Sequence, residues 1–369
     1  MKKNSPNIFL VCTGLGRVQR GFESYTHDLA QKIHGSECTD IKVLVFSGGR
    51  LKDTRYNNVA IPNVSRNSVW LRRLKISSDN AFGLEQASFF IFFLPYLFWK
   101  KPKAIYLGEY SLYCYLFKAR RFFKLNFSLI LYTGGQTIPG LFDPNLDFVH
   151  HITDIYYKGL IEKGYPRERQ FIIPHFLNTD FHVDENVVRL LKVKASGKKI
   201  IISVGSIDKT VKRMHLIPTV LGDQAGSIFP ILLGEWTNES EEVRQLMVER
   251  FGADGFIIDI VTRNELGSYY TAADVFLLCS KKESFGLVFL EAMFFGLPVL
   301  CHDFYEARFV LKQHGRFINM DETSSFHQEL RDLLPSLGKN DEFHSFVVEN
   351  YTWPHLKESY LNMFETFLK

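Results

Sequence analysis

The sequence has few of the residues that build metal and redox centres. Its five cysteines stand singly along 369 residues, with no Cys-x-x-Cys pair and no cluster of cysteine with histidine. Zinc and iron–sulfur sites need such groupings, so the sequence predicts no metal centre. Lone cysteines inside apolar runs are also typical of a reducing compartment, which favours a cytoplasmic protein.

Long apolar runs are missing as well. The longest, residues 87–99, includes Pro95 and is far shorter than the roughly 20 residues that a membrane-spanning helix needs. The apolar stretch near the beginning, residues 8–12, is too short for the core of a signal peptide. We therefore expect neither a transmembrane segment nor a signal peptide.

Positive charge is concentrated in the first half of the chain. Residues 1–180 have a net charge of +10 and the remainder a net charge of −6, which gives +4 overall. A basic surface suits nucleic acid, a phospholipid surface or a phosphorylated substrate, or is simply solvated. Because the second half is acidic and no recognition motif is present, nucleic acid is the least favoured partner.

The order of apolar runs predicts the fold class. Short β-branched and aromatic runs that end in Gly, Ser or Thr alternate with helix-length segments, a pattern typical of βαβ units with buried parallel strands. The pattern stops near residue 180 and restarts at residue 200. We predict an α/β chain with two Rossmann-like domains in tandem. The predicted segments are a first Rossmann-like domain at 1–178, a linker at 179–198, a second Rossmann-like domain at 199–353 and a final amphipathic helix at 354–369.

The first glycine-rich loop, residues 13–21, fits neither common nucleotide motif in detail. Gln19 stands where a dinucleotide fold has its third glycine, and Phe22 stands where a P-loop has lysine. Such a loop still lets backbone amides approach an anion. Gly16 is therefore a candidate donor contact, although a plain tight turn explains it as well.

Two glutamates eight residues apart give a stronger signal. Gly286 is predicted to begin a helix, with Glu283 in the preceding loop and Glu291 among apolar neighbours. A buried carboxylate needs a partner, and eight helical residues span about 12 Å, roughly the length of a sugar–diphosphate–ribose unit. Such a pair is suited to accept hydroxyls from both ends of a nucleotide sugar, with helix amides near the diphosphate. A structural ion pair at Glu291 is the alternative.

This segment resembles the retaining glycosyltransferases of family 4. The spacing of the glutamates is that family's E-x7-E motif, and Glu-Ala-Met-Phe-Phe-Gly-Leu-Pro-Val from Glu291 resembles its E-A-M-A-x-G-x-P-V. Further resemblances follow the family's order, at residues 20–23, 173–181, 204–213 and 270–276, and at Trp353.

The resemblance implies the GT-B fold, in which two Rossmann-like domains with parallel sheets face an active-site cleft and the last helix packs back on the N-terminal domain. It implies retaining, metal-independent transfer of a hexosyl unit from a nucleotide-diphosphate sugar, without a cofactor. The catalytic residues that it implies are Glu283, Lys212 and Glu291. The donor contacts that it implies are Gly16, Gly205, Ser206, Arg213, Val261, Ser284, Phe285, Gly286 and Leu287.

Two positions depart from the family pattern. Ser206 stands where the family has a diphosphate-binding arginine, and the cations that could replace it are Lys212, Arg213, Arg17 and Arg20. Gly134 or Gly135 stands where the family often has histidine. His150, His151 and His175 are candidates for that role, and each is more often structural in such a position.

Residues 66–124 combine clustered cations with aromatic runs. Most of these aromatics are expected in the core, but residues 117–124 mix charge and large apolar groups densely. This mixture favours peripheral contact with an anionic membrane. The function predicted is a cytoplasmic transferase acting on a glycan or lipid-linked acceptor in surface polysaccharide or glycolipid synthesis. The alternative is a catalytically weak nucleotide-sugar-binding protein of the same fold.

Overall fold

A computed structural model describes residues 7–18, 21–36, 40–52, 54–134, 146–322, 331, 336 and 338–368. The chain divides into two compact units. Unit 1 comprises Met1–His175 together with Leu356–Lys369, and unit 2 comprises Phe176–His355.

Unit 1 is built on a parallel sheet of seven strands in the order β3-β2-β1-β4-β5-β6-β7. Both faces of the central strands are covered, which explains why they are unbroken apolar runs. The strands are β1 (Ile8–Cys12), β2 (Val43–Ser47), β3 (Asn58–Ala60), β4 (Ala104–Leu107), β5 (Ser128–Tyr132), β6 (Phe148–His151) and β7 (Gln170–Ile172).

Among the described residues, five helices of unit 1 come from the first part of the chain, and a sixth comes from its end. They are α1 (Gly21–His34), α2 (Val69–Arg73), α3 (Ser78–Lys100), α4 (Tyr110–Phe123), α5 (Ile155–Glu162) and α13 (Trp353–Glu365). From Leu356 onward, α13 belongs to unit 1.

Helix α3 is the longest element of the described chain and packs on the sheet. It is long and apolar enough to cross a membrane by length and composition, since it has 23 residues and an 18-residue window with a mean hydropathy of 1.4. No such segment was expected from the sequence, because only the apolar run 87–99 was counted and the more polar residues 78–86 of the same helix were not. The inner face of α3 nevertheless belongs to the core, where the Phe93 ring lies 4.7 Å from Phe46 and 6.1 Å from Phe9. A spanning position would expose this part of the core, so we describe α3 as a core helix with an exposed outer face.

A buried network of tyrosines holds α13 on unit 1. The Tyr360 hydroxyl donates to the carbonyl of Pro174 at 2.8 Å, and Tyr25 lies 3.1 Å from the same hydroxyl. Tyr106 extends the network to His150 at 2.8 Å. Side chains from four distant parts of the chain therefore share one set of hydrogen bonds.

Unit 2 has a parallel sheet of six strands in the order β10-β9-β8-β11-β12-β13. The strands are β8 (Lys199–Val204), β9 (Ile228–Leu233), β10 (Ile257–Asp259), β11 (Val275–Leu278), β12 (Val299–His302) and β13 (Gly315–Ile318). The helices are α6 (Glu185–Ala195), α7 (Ile217–Leu221), α8 (Ser240–Phe251), α9 (Leu266–Ala272), α10 (Leu287–Phe294), α11 (Tyr305–Leu311) and α12 (Asp341–Tyr351). The two parallel sheets confirm the prediction of two Rossmann-like domains.

The segment predicted as a linker, residues 179–198, is mostly helix. Asp184 caps α6 by accepting from the amide of Asn186 at 2.8 Å, and Val188 and Leu191 are buried. These residues belong to unit 2. The stretch is polar on average, which favoured a linker, but the apolar residues of α6 recur at helical spacing.

Each sheet has a point where the strand order reverses direction. In unit 1 it lies between β1 and β4, and in unit 2 between β8 and β11. Loops that leave adjacent strands at such a point diverge, which opens a crevice at the carboxyl ends of the strands. The loops after β8 and β11 carry most of the predicted site.

Candidate functional site

Two of the predicted catalytic residues meet at the strand-order reversal of unit 2. Lys212 lies in the loop after β8 and Glu283 in the loop after β11. The Lys212 ammonium donates to Oε1 of Glu283 at 2.6 Å. Both side chains are mostly buried, with 17% and 12% of their surfaces exposed. An ion pair this enclosed is weakly screened by solvent, so it fixes both groups.

The loop after β8 is organised by a residue that the sequence analysis missed. Oδ1 of Asp208 accepts from the amides of Val211 and Lys212 at 2.8 and 2.7 Å. The hydroxyl of Ser206 donates to the other oxygen of Asp208. The Ser206 side chain thus supports the loop that presents Lys212, and its donor contact stays a prediction.

Gly205 makes room for Lys212. Its φ is +154°, and a Cβ at this position would lie 2.8 Å from Cε of Lys212. Any other residue would displace the lysine stem from the backbone that it crosses. The path of the Lys212 side chain therefore explains why residue 205 is glycine, whether or not Gly205 contacts a donor.

Arg213 faces its own unit, and its partners differ from those of Lys212. Its Nε donates to the carbonyl of Cys279 at 2.7 Å, and its Nη1 donates to Asp321 at 2.5 Å. This contact holds the pKa of Asp321 below its usual range. The guanidinium therefore joins the loop after β8 to the segment after β13.

Helix α10 begins where the sequence predicted. Gly286 precedes it with a φ of +81°, a left-handed conformation that glycine adopts without strain. Phe285 is buried, whereas Ser284 and Leu287 are half-buried at the beginning of the helix. Because Glu283 lies outside the helix, eight helical residues do not separate the two glutamates, and the spacing of about 12 Å taken from helix geometry does not apply.

Glu291 has protein partners. Its Oε2 accepts from the hydroxyl of Tyr270 at 3.0 Å, and its Oε1 lies 3.5 Å from Nε of Arg263. Burial, followed by the nearby carboxylate, raises the pKa of Tyr270, so this hydroxyl remains a donor. The sequence analysis required a partner for Glu291 but did not identify Arg263, which lies two residues after the predicted donor contact Val261.

In unit 1, the contacts of Gly16 and Arg17 are those expected of a tight turn. A Cβ on Gly16, whose φ is +82°, would lie 2.9 Å from the backbone of Gly49. Nη1 of Arg17 donates to the carbonyl of Asn63 at 3.1 Å. Arg20, the other cation proposed for this loop, lies outside the described residues. A donor contact by Gly16 stays a prediction.

The strand-order reversal of unit 1 holds a buried carboxylate cluster that the sequence analysis also missed. Oε1 of Glu109, just after β4, accepts from the amide of Thr13, just after β1, at 2.7 Å. The Thr13 hydroxyl also reaches Glu85, which Arg66 contacts through Nη2 at 2.7 Å. Burial raises the pKa of Glu109 to about 7. A glutamate two residues after a buried apolar strand is the sequence signal that could have identified this cluster.

The three candidate histidines of unit 1 are structural. His150 bonds Tyr106 and the carbonyl of Ile173, and His151 lies 3.0 Å from Gln170. His175 bonds Tyr132. Burial lowers the pKa of His150 and of His175 to about 3, so both are neutral at physiological pH.

No group of three His, Cys, Asp or Glu side chains suited to a metal ion occurs in the part of the chain that the structure describes. The Lys212–Glu283 pair instead provides a fixed positive charge next to a carboxylate. Such a pair can bind an anionic group and hydrogen-bond a hydroxyl beside it.

Comparison with known proteins identifies the family of the second half. Residues 191–343 match the family model described as glycosyl transferases group 1, so the chain contains a domain of this family. The alpha-monoglucosyldiacylglycerol synthase of Acholeplasma laidlawii is 32% identical over 115 residues, which cover 30% of this chain and 27% of that enzyme. The chain spans about 30% of the length of the first curated relatives that it matches.

Several solved structures match nearly the whole chain, and two of them illustrate the likeness. The sucrose-phosphate synthase of Thermosynechococcus elongatus has a TM-score of 0.78 at 15% identity, covering 98% of this chain and 99% of that one. Anabaena HepE in complex with UDP-glucose has a TM-score of 0.71 at 13% identity, covering 97% and 99%. These likenesses confirm the GT-B fold.

Proposed function

We propose that the protein is a retaining, metal-independent glycosyltransferase that moves a hexosyl unit from a nucleotide-diphosphate sugar. The observation that carries the proposal is the enclosed Lys212–Glu283 pair at the strand-order reversal of unit 2, next to the first turn of α10. The group 1 domain supports the reaction class.

In this proposal Lys212 stabilises the leaving diphosphate. The bond from the anomeric carbon to the phosphate oxygen breaks while a bond to the acceptor oxygen forms on the same face. The proton of the acceptor hydroxyl passes to the departing phosphate oxygen. Negative charge grows on the diphosphate, and a fixed ammonium stabilises it without reorganisation. Glu283 accepts a sugar hydroxyl and holds Lys212 in place.

Glu291 takes the other end of the donor. One of its oxygens already accepts from Tyr270, and the other lies 3.5 Å from Nε of Arg263, in the loop that follows β10. We assign the ribose hydroxyls to this carboxylate and the remaining donor contacts to Gly205, Ser206, Arg213 and Val261. The segment 284–287 supplies further contacts at the start of α10.

The acceptor is a glycan or a lipid-linked glycan, used in surface polysaccharide or glycolipid synthesis. One relative is named for the synthesis of a glycosylated diacylglycerol, and one structural neighbour contains UDP-glucose. A lipid acceptor stays in its bilayer, so we also place the protein in the cytoplasm with a peripheral contact to an anionic membrane.

The proposal is tested with the full chain and a panel of nucleotides and nucleotide sugars. A true donor at 100 times its Kd should stabilise the folded state by about 2.7 kcal/mol and raise Tm. NMR of the product should show the anomeric configuration of the donor. Lys212→Ala should lower kcat by a factor equivalent to about 2–4 kcal/mol, with EDTA leaving wild-type turnover unchanged.

Lys209→Ala is the matched control, since Lys209 lies in the same loop and pairs with Glu242 on the surface. Equal losses in the two variants would contradict the role of Lys212. Donor binding without any transfer or hydrolysis would favour the alternative, a catalytically weak nucleotide-sugar-binding protein, and an inverted product would overturn the retaining mechanism.

A further inference from the structure

The first half of the chain exposes an unusual amount of large apolar surface. Ten of the nineteen exposed large hydrophobic side chains in the described residues lie between Val69 and Phe123. Single exposed hydrophobic residues are ordinary, but a cluster of this kind marks an interaction surface.

Most of these side chains form one strip along α3 and the end of α4. Leu84, Ile91 and Phe98 recur every seven residues and so share one side of α3, opposite the core residues Phe89 and Phe93. The strip continues onto α4, because the Phe98 and Phe123 rings are 5.2 Å apart. We call this surface the α3–α4 face; its members are Leu84, Ile91, Phe92, Phe98, Trp99, Phe122 and Phe123.

The most exposed members lie at the end of each helix. Trp99 is 71% exposed and Phe122 is 80% exposed. The Lys100 ammonium lies over the Trp99 ring, 4.0 Å from its centroid. An aromatic ring next to a cation suits the boundary between lipid headgroups and acyl chains.

The exposed charge of the segment that contains this face is almost all positive. Seven cations between residues 66 and 124 are exposed: Arg73, Lys75, Lys101, Lys103, Lys118, Arg121 and Lys124. Asp79 is the one exposed carboxylate among the described side chains of that segment, since Glu85 and Glu109 are buried. Two residues of the segment 117–124 do not belong to this exposed basic and apolar surface, because Phe117 packs against the core and Arg120 pairs with Asp147.

Three lysines are held in a conformation that favours glycine. Lys75, Lys101 and Lys124 follow α2, α3 and α4 with φ near +50°, and they are three of the six left-handed non-glycine residues in the described chain. Glycine is preferred at this position because it avoids strain. At the ends of α3 and α4, a lysine instead places a positive charge beside the exposed rings.

We propose that the α3–α4 face binds the surface of an anionic membrane, with α3 parallel to the bilayer plane and Trp99 and Phe122 in the interface. This inference rests on the proposed function only for its biological purpose, which is access to a lipid-linked acceptor. The exposed apolar area, together with seven exposed cations and one exposed carboxylate, fits an anionic lipid surface. It fits a second copy of this face less well, because the two basic surfaces would repel each other.

The experiment measures co-sedimentation of the full chain with vesicles of phosphatidylcholine, with and without about 30% phosphatidylglycerol. Binding should require the anionic lipid and weaken at about 0.5 M salt relative to about 0.05 M. Trp99→Ser combined with Phe122→Ser should abolish binding. Leu190→Ser combined with Val193→Ser removes exposed apolar side chains of α6, outside this face, and should leave binding unchanged.

The charges are tested without disturbing the helix ends. Lys101→Gly combined with Lys124→Gly keeps the left-handed conformation available and should weaken binding to anionic vesicles roughly 20–30-fold at low salt. Lys312→Gly is the matched control, because Lys312 has a φ of +50° in unit 2. Equal binding by the double glycine variant and this control would overturn the role of these lysines.

Two further results would overturn the proposal as a whole. One is sedimentation that ignores both lipid charge and salt. The other is a concentration-dependent dimer that Trp99→Ser/Phe122→Ser abolishes, without vesicle binding. The shift of Tm caused by nucleotide sugars is measured on the same variants. Vesicle binding without donor binding would contradict the transferase proposal and leave the membrane proposal standing.

Discussion

Burial changes the acid–base chemistry of Glu109. It lies at the strand-order reversal of unit 1 with Oε1 accepting from the amide of Thr13, and among the described residues its buried Oε2 has no hydrogen-bond partner. Burial dominates over the hydrogen bonds and raises its pKa from 4.5 to about 7. A carboxyl group in this position prefers to be protonated, which ties the stability of unit 1 to pH.

The pH dependence has a definite sign. Because the folded-state pKa is raised, the stabilising contribution of the protonated form is complete below about pH 4.5 and is lost as pH rises through about 7. We expect slower hydrogen exchange of the β1 amides at pH 5 than at pH 8, after correction for intrinsic rates. Between these two pH values, titration of Glu109 should change the free energy of unfolding of unit 1 by on the order of 3 kcal/mol.

Glu109→Gln should remove most of that pH dependence, because the amide keeps the bond from Thr13 without a titrating group. Glu241→Gln, an exposed partner of Arg244 on unit 2, should leave it unchanged. The same pH dependence in Glu109→Gln and wild type would assign the effect to another group.

Among the elements, α10 is preceded by a glycine that both its backbone and its surroundings require. Gly286 has a left-handed backbone, and a Cβ there would lie 2.5 Å from the ring of Phe289. Gly197 has the same φ of +81° with nothing within 4 Å of its Cβ position. The two glycines therefore separate backbone strain from crowding.

Gly197→Ala should lower the free energy of unfolding of unit 2 by about 1–2 kcal/mol, the cost of a left-handed alanine. Gly286→Ala should lower it by a further 1–3 kcal/mol or so, since a buried ring must move as well. Urea unfolding of both variants checks this. Equal losses would show that the Phe289 ring moves aside freely.

The sequence predicted elements better than contacts. Buried strands such as β1 and β8 are unbroken apolar runs, and Gly286 correctly marked the beginning of α10. Helix α6 was missed because its apolar stripe is narrow. The partners of Glu291 and Arg213 were not predictable, because Arg263 and Asp321 lie far along the chain and only the folded sheet brings them close. The lysines that follow α3 and α4 gave no signal, since their left-handed backbone is visible only in the structure.

Across the whole molecule, each unit has a buried tyrosine that joins distant segments. Tyr360 bonds Pro174 and Tyr25 in unit 1, and the Tyr351 hydroxyl donates to the carbonyl of Val310 at 2.8 Å in unit 2. The first joins α13 to the rest of unit 1, and the second joins α12 to α11. The two hydroxyls are nine residues apart in sequence but stabilise different units.

Tyr360→Phe should therefore destabilise unit 1 by about 1–3 kcal/mol, because buried groups lose a hydrogen-bond partner. Tyr351→Phe should destabilise unit 2 by a similar amount. Hydrogen exchange measured on individual peptides reports the stability of each unit separately, whereas a single unfolding midpoint does not. Loss of protection in both units from either variant would indicate that they unfold as one body.

The position of α13 also affects how the protein is made. A ribosome releases the strands of unit 1 first, then all of unit 2, and only afterwards residues 356–368, which complete unit 1. Domains commonly fold in the order of synthesis, but here the second unit has all its parts before the first. Until then Tyr25 and Tyr106 lack the helix that covers them. A slow codon or a stalled ribosome within unit 2 would prolong that exposed state, so the supply of chaperones during translation should govern the yield of this protein.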